Sequence, residues 1–99
     1  MATLYIAEFS KPATYSNGVI QVLQLPPLAQ QTVVIGAGSL PSAAFNAATA
    51  LIRVNTDAIC SIAVGTAPTA TTAMMRMVAG QTEVFGVSAG DKIAVIANT

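Results

Sequence analysis

Along most of this chain apolar residues recur at every second position in short runs closed by glycine, proline or serine, which is the pattern of strands and turns. Residues 3 to 9 (TLYIAEF) form a first strand with Leu4 and Ile6 on one face and Tyr5, Ala7 and Phe9 on the other. Pro12 should then stop regular pairing, because proline lacks the N–H that a ladder requires. Asn17-Gly18 reads as a turn, since both residues tolerate positive φ, and leads into a strand from Val19 to Leu25 that ends at Pro26-Pro27. Residues 31 to 35 make a third strand before the loop Gly36 to Ser39.

The second half reads as consecutive antiparallel strands. Leu51 to Thr56 and Ala58 to Val64 are separated by Asp57, and a loop of small residues runs from Gly65 to Thr72. Met74 to Val78, Thr82 to Val87 and Lys92 to Ala97 follow, divided by Ala79-Gly80 and Ser88-Ala89-Gly90-Asp91. Residues 42 to 50 are ambiguous. Their alanines and the preceding Pro41 favour a helix, while their neighbours favour an extended segment running into Leu51. The expected fold is all-β, a small antiparallel β-sandwich or jelly-roll-like barrel, with a short helix around 42–50 as the alternative to the extended reading. Residues 1–99 make a single β domain, with 1–12 as an extended N-terminal arm or edge strand.

Composition changes this picture in one respect. Only 8% of the residues are charged and 54% are hydrophobic, against about 25% charged in ordinary globular domains. Several strands are apolar on both faces: Ala58, Cys60, Ile62 and Val64 oppose Ile59, Ser61 and Ala63, and Ile93 and Val95 oppose Ala94 and Ile96. A two-layer sandwich buries one face of each sheet, so the second face calls for another layer, most economically a neighbouring copy. The expected state is a homo-oligomer, a dimer or trimer. Its candidate interface residues are Tyr5, Phe9, Phe45, Arg53, Met75, Arg76, Met77 and Phe85, with Tyr15 able to hydrogen-bond at a wet boundary. Arg53 and Arg76 have two open readings: pairing with Glu83 or Asp91 across strands or subunits, or projection from a sheet edge into water.

Charge and chemistry mainly exclude. The net charge is zero, and Lys11, Arg53, Arg76 and Lys92 form no stripe that could track a phosphate backbone, so direct nucleic-acid binding is not expected. No run approaches the apolar length of a membrane-spanning helix, and the N-terminus lacks the basic start of a secretory signal. The expectation is no membrane partner, synthesis in a reducing cytoplasm and use without export. Val33 to Leu40 mimics a strand entering a dinucleotide-binding loop, but Pro41 stands where its third glycine is required. With no histidine and one cysteine, Cys60, the chain presents no catalytic constellation, metal site or cofactor site. Glu8, Asp57, Glu83 and Asp91 read as solvated groups at strand ends and turns.

One stretch carries a resemblance. Ser42-Ala43-Ala44-Phe45-Asn46, Arg53-Val54, Thr56-Asp57-Ala58, Cys60, Gly65, Pro68-Thr69-Ala70-Thr71, Arg76, Ala79-Gly80, Glu83, Phe85, Val87 and Gly90-Asp91-Lys92-Ile93 together resemble small structural proteins encoded among tailed-bacteriophage head genes. The likeness covers about residues 42 to 97. It implies a virion component made in a bacterial host, with capsid decoration or cementing as its task and the major capsid protein or other virion proteins as partners. A vertex, neck or tail component is the nearby variant. From another class, a virion-borne receptor- or carbohydrate-binding β-domain is the runner-up, disfavoured by the absence of Trp. The termini, Met1 to Phe9 and Ile96 to Thr99, are candidate arms for strand addition to another subunit.

Overall fold

The computed structural model describes residues 2–15, 18–23 and 25–98, and only the backbone of 13–15 and 18–22. The strands are β1 (Thr3–Phe9), β2 (Pro12–Tyr15), β3 (Gly18–Leu23), β4 (Ala29–Val34), β5 (Leu40–Pro41), β6 (Leu51–Thr56), β7 (Cys60–Gly65), β8 (Met75–Met77), β9 (Thr82–Gly86) and β10 (Lys92–Ala97). They form two antiparallel four-stranded sheets, ordered β4-β1-β6-β9 and β5-β10-β7-β8, and a separate hairpin β2-β3. The fold is an all-β sandwich, and no helix occurs among the described residues.

The core follows from strand parity. Leu4 and Ile6 of β1, Ile52 and Val54 of β6 and Val33 of β4 face inward from the first sheet. They meet Cys60 and Ile62 of β7, Met77 of β8 and Ile93 and Val95 of β10. Phe45 completes this cluster from the segment between β5 and β6. Burial of such side chains contributes on the order of 1.5–3 kcal/mol each.

Four expectations need correction. First, consecutive strands of the second half mostly do not pair with each other. β6 pairs β9 and β10 pairs β7, so the chain crosses between sheets at the 57–59 turn, the 78–81 turn and the 87–91 turn. Gly80 and Gly90, at φ of 84° and 82°, supply the left-handed backbone that two of these crossings require. Second, the N-terminal strand is neither a free arm nor an edge strand: β1 (Thr3–Phe9) lies between β4 and β6, and β10 likewise lies between β5 and β7. Third, Pro12 opens β2 instead of ending pairing, standing opposite Leu23 at a first-residue position where its missing N–H is tolerated. The Asn17-Gly18 turn lies partly outside the described residues, as does the side chain of Tyr15.

Fourth, residues 42–50 form neither a helix nor a regular strand. Their backbone donors are taken elsewhere: Ser42 N–H donates to Ile93 O at 2.7 Å, Phe45 N–H to Asp91 O at 2.8 Å and Ala50 N–H to Phe9 O at 2.9 Å. The segment therefore spans from the second sheet to the first. Long-range partners outweigh the few tenths of a kcal/mol per residue by which alanine favours a helix.

These contacts set a clear contrast in mutational cost. Leu4→Ala, at a fully buried site on an inner strand, is expected to destabilise the chain by about 2–5 kcal/mol. Met75→Ala, at a site 56% exposed, should stay within about 0.5 kcal/mol of the parent. Urea denaturation followed by circular dichroism measures both.

Candidate interaction surface

The interface candidates divide on burial. Phe9, Phe45 and Met77 are 3%, 3% and 0% exposed; Phe45 and Met77 belong to the core cluster, whereas Phe9 has the outer-face parity of Tyr5 and Ala7 and lines a depression there. Phe85 is half-buried against the core. Tyr5, Arg53, Met75 and Arg76 are exposed. Tyr5 and Arg53 share the outer face of the first sheet, whereas Met75 and Arg76 lie on the edge strand β8 of the second.

Neither arginine meets the acid expected for it within the chain. Arg53 stands opposite Ala7 and Val84 on the outer face, while Glu83 is paired with Val54 and shares that residue's inward parity. Arg76 stands opposite Ser61 in the other sheet. Pairing of either arginine with Glu83 or Asp91 is accordingly not the cross-strand arrangement of the folded chain.

The doubly apolar strands of the second sheet also find their cover locally. Ser61 and Ala94 point away from the core, yet both are fully buried. The loop between β7 and β8 is anchored at two places: Ala70 N–H donates to Ser39 Oγ at 2.8 Å, and Asn98 Nδ2 donates to Ser61 Oγ at 2.7 Å and Thr72 O at 3.1 Å. Ser39 adjoins the β5 edge and Ser61 lies on β7, so the loop spans β10 between them. This loop covers that face within the chain at Ser61 and Ala94.

The first sheet keeps its outer face open. Tyr5, Val34 and Val84 are 48%, 44% and 50% exposed there. Gln30, Thr32 and Asn55 lie in register beside them, and Arg53 is the sole charge among these positions. A depression of about 590 Å³ runs along this face, with Ala7, Gln30, Arg53 and Val84 on the sheet side and Leu23, Leu25 and Pro27 on the other. Its floor is polar at Gln30 and Arg53 and apolar elsewhere.

Two buried polar groups have structural roles. Glu8, expected in solvent, is 2% exposed. Its Oε1 accepts hydrogen bonds from Asn46 N–H at 2.7 Å and Thr49 Oγ1 at 2.8 Å, and its Oε2 accepts one from Gln31 Nε2 at 3.2 Å. Gln31 extends the network, its Oε1 accepting from Ala43 N–H at 2.9 Å. The other acids do sit at turns or half-exposed edges: Asp57 Oδ1 accepts Thr3 N–H and Asp91 Oδ2 accepts Ser88 N–H. Cys60 is fully buried, and its thiol donates to Thr56 Oγ1 at 3.6 Å. Burial pushes the thiol above its ordinary range, with the Thr56 hydrogen bond pulling weakly the other way.

No group of three or more metal-ligating side chains occurs among the described residues, and no helix among them is long and apolar enough to cross a membrane. Scans of this chain against protein-family models, curated proteins and solved structures found no match.

Two outcomes follow from the buried groups. Glu8→Gln places an amide donor against existing donors and is expected to cost about 1–3 kcal/mol, with amide shifts concentrated at residues 43–50 in a heteronuclear NMR spectrum. Because the folded state raises the Cys60 pKa, that group's stability contribution is fully present below the ordinary thiol range and is lost as pH rises through the folded value. Denaturation midpoints should thus fall on the alkaline side, and Cys60→Ala should remove that component.

Proposed function

We propose that this chain is a non-enzymatic structural protein of a virion, which binds and stabilises the head shell of a tailed bacteriophage as a decoration or cement protein and acts as an oligomer. The observation that carries the reading is the outer face of the first sheet, broad and nearly uncharged, with Tyr5, Val34 and Val84 exposed around Arg53. Such a face matches the anatomy of an association surface, aromatic and arginine groups amid few charges. The resemblance of residues 42–97 to phage head proteins points to the same class.

The mechanism is linkage. A protein that binds only the assembled or expanded shell stabilises it by RT ln(1 + [L]/Kd), about 2.7 kcal/mol per site at one hundred times Kd. Repetition of sites over the shell adds avidity when the bound form is oligomeric. The chain itself contributes a rigid sandwich whose outer face is formed by paired strands, so little ordering cost accompanies docking.

The test is co-sedimentation with shells assembled from the major capsid protein encoded alongside the chain. Saturable binding and a higher shell melting temperature are expected for the parent. Tyr5→Asp combined with Val84→Asp, both at exposed sites, should weaken binding by about tenfold or more while the free chain's melting stays near the parental value. Absence of binding to these shells overturns the reading. Light scattering after size exclusion should report a multiple of 10.0 kDa that persists on dilution, and a clean monomer at all concentrations removes the oligomeric part.

A further inference from the structure

The polar side chains on the outer face of the first sheet fall into two groups. Asn55 is spent inside the chain, its Nδ2 donating to Thr82 Oγ1 at 2.8 Å and to Gln81 O at 3.2 Å. Tyr5, Gln30, Thr32 and Arg53 are all exposed, and their side chains hydrogen-bond to none of the described residues. Strand register gathers these four. Gln30 and Arg53 flank Ala7 on either side, and Tyr5 and Thr32 stand opposite each other in the next outward-facing row. β4 and β6 lie about 10 Å apart across β1, so the short Ala7 side chain leaves a depression between its two longer neighbours. It measures about 370 Å³, and Tyr5, Gln30, Thr32 and Arg53 line it.

The chemistry of this rim selects its occupant. Arg53 is the sole charge among the face's positions, and a partner that covered it without supplying an anion would bury a guanidinium unpaired. The anion that fits is planar and singly charged. A carboxylate takes two parallel N–H groups of the guanidinium fork, and the Gln30 amide and the Tyr5 and Thr32 hydroxyls can donate to its remaining lone pairs. Tyr5, Val34 and Val84, exposed on the same face, suit a macromolecular surface that excludes water around the pair. We propose that this face receives the surface of a different protein presenting one Asp or Glu side chain, seated over Ala7 between Arg53 and Gln30, with Arg53 deciding which surfaces are accepted. The proposal rests on this face being the contact surface, not on the partner being a shell. A second copy does not meet the requirement. Face to face, two copies would bring Arg53 towards Arg53 across the symmetry axis, with no acid among the face's positions to separate them. The chain's four acids are already engaged within their own copy: Glu8 is buried, Asp57 Oδ1 accepts Thr3 N–H at 2.7 Å, Glu83 Oε2 accepts Gln81 Nε2 at 2.8 Å and Asp91 Oδ2 accepts Ser88 N–H at 3.3 Å. An oligomer would have to form elsewhere on the molecule.

The experiment has two arms. In co-sedimentation with the shells, Arg53→Gln is expected to weaken binding about tenfold or more and Arg53→Glu at least as strongly, whereas Arg53→Lys, which keeps the charge and loses the fork, falls between. Arg53 is exposed, so all three variants should melt near the parent. The second arm is an NMR titration of the full chain, run at roughly tens of millimolar peptide because exposed ion pairs are weak. A capped tripeptide with glutamate between two alanines should shift residues 5, 7, 30, 32 and 53 more than its glutamine counterpart at matched ionic strength, and Arg53→Gln should abolish the difference. Equal shifts from the two peptides overturn the proposal. So does shell binding that Arg53→Gln leaves unchanged, in which case the shell reading stands without it. A parent chain that binds no shell yet distinguishes the peptides removes the shell reading and leaves the carboxylate site. Self-association that Arg53→Gln and Asp57→Asn each abolish makes a second copy the occupant and overturns the assignment to a different protein.

Discussion

The fold turns on a single buried carboxyl group. Glu8 lies on β1, between β4 and β6, and points into the sandwich, where an unpartnered polar group would cost several kcal/mol. It is tolerated because both its oxygens accept donors: Asn46 N–H and Thr49 Oγ1 on one, Gln31 Nε2 on the other. Those donors do more than satisfy Glu8. They hold the 42–50 segment against the first sheet, while Ser42 and Phe45 bond Ile93 and Asp91 at the second. The segment thereby ties one sheet to the other and delivers Phe45 to the core. With an apolar side chain in place of Glu8, Asn46 N–H and Thr49 Oγ1 would lose their acceptor, and the alanine-rich backbone would be freer to follow its own helical preference.

A second tie sits at the β6-β7 corner. Thr56 is fully buried, and its hydroxyl donates to Ala58 O and accepts Ala58 N–H, bending the chain out of the first sheet. Asp57 locks the corner to β1, its N–H donating to Thr3 O and its carboxyl accepting Thr3 N–H. The corner explains why β6 and β7, adjacent in sequence, belong to different sheets. Each sheet is then completed by strands from distant parts of the chain, which makes the contacts predominantly non-local and predicts slow folding for a chain of this size.

This division explains what could be read from the sequence. The boundaries of β1, β6 and β10 were legible because parity and turn residues are local signals: Leu4 and Ile6, then Ile52 and Val54, then Ile93 and Val95 recur at every second position. Sheet membership was not, because a three-residue corner at 57–59 looks the same whether the next strand pairs back or crosses over. Glu8 was misread for a related reason, its partners lying 23 to 41 residues away. Of the surface candidates, Tyr5, Arg53, Met75 and Arg76 are exposed, but the aromatic and methionine content of the list could not separate them from Phe9, Phe45 and Met77, which are buried. The apolar second face of β7 and β10 reflects burial at Ser61 and Ala94 under the chain's own 66–74 loop, a cover that strand parity does not reveal.

That reassignment redistributes where association can occur. Once the 66–74 loop covers Ser61 and Ala94, the outer surface of the second sheet no longer demands a partner, and the sparse charge of the chain must be accounted for elsewhere. Two regions remain: the outer face of the first sheet around Tyr5, and the open flank at Val64 and Met75. They differ in kind. The first is an array of exposed side chains beside a shallow depression, suited to a broad partner surface whose affinity rests on shape and area. The second is the end of a short edge pairing, where β8 stops opposite Ile62 and leaves Val64 and Met75 beside a narrow apolar cleft.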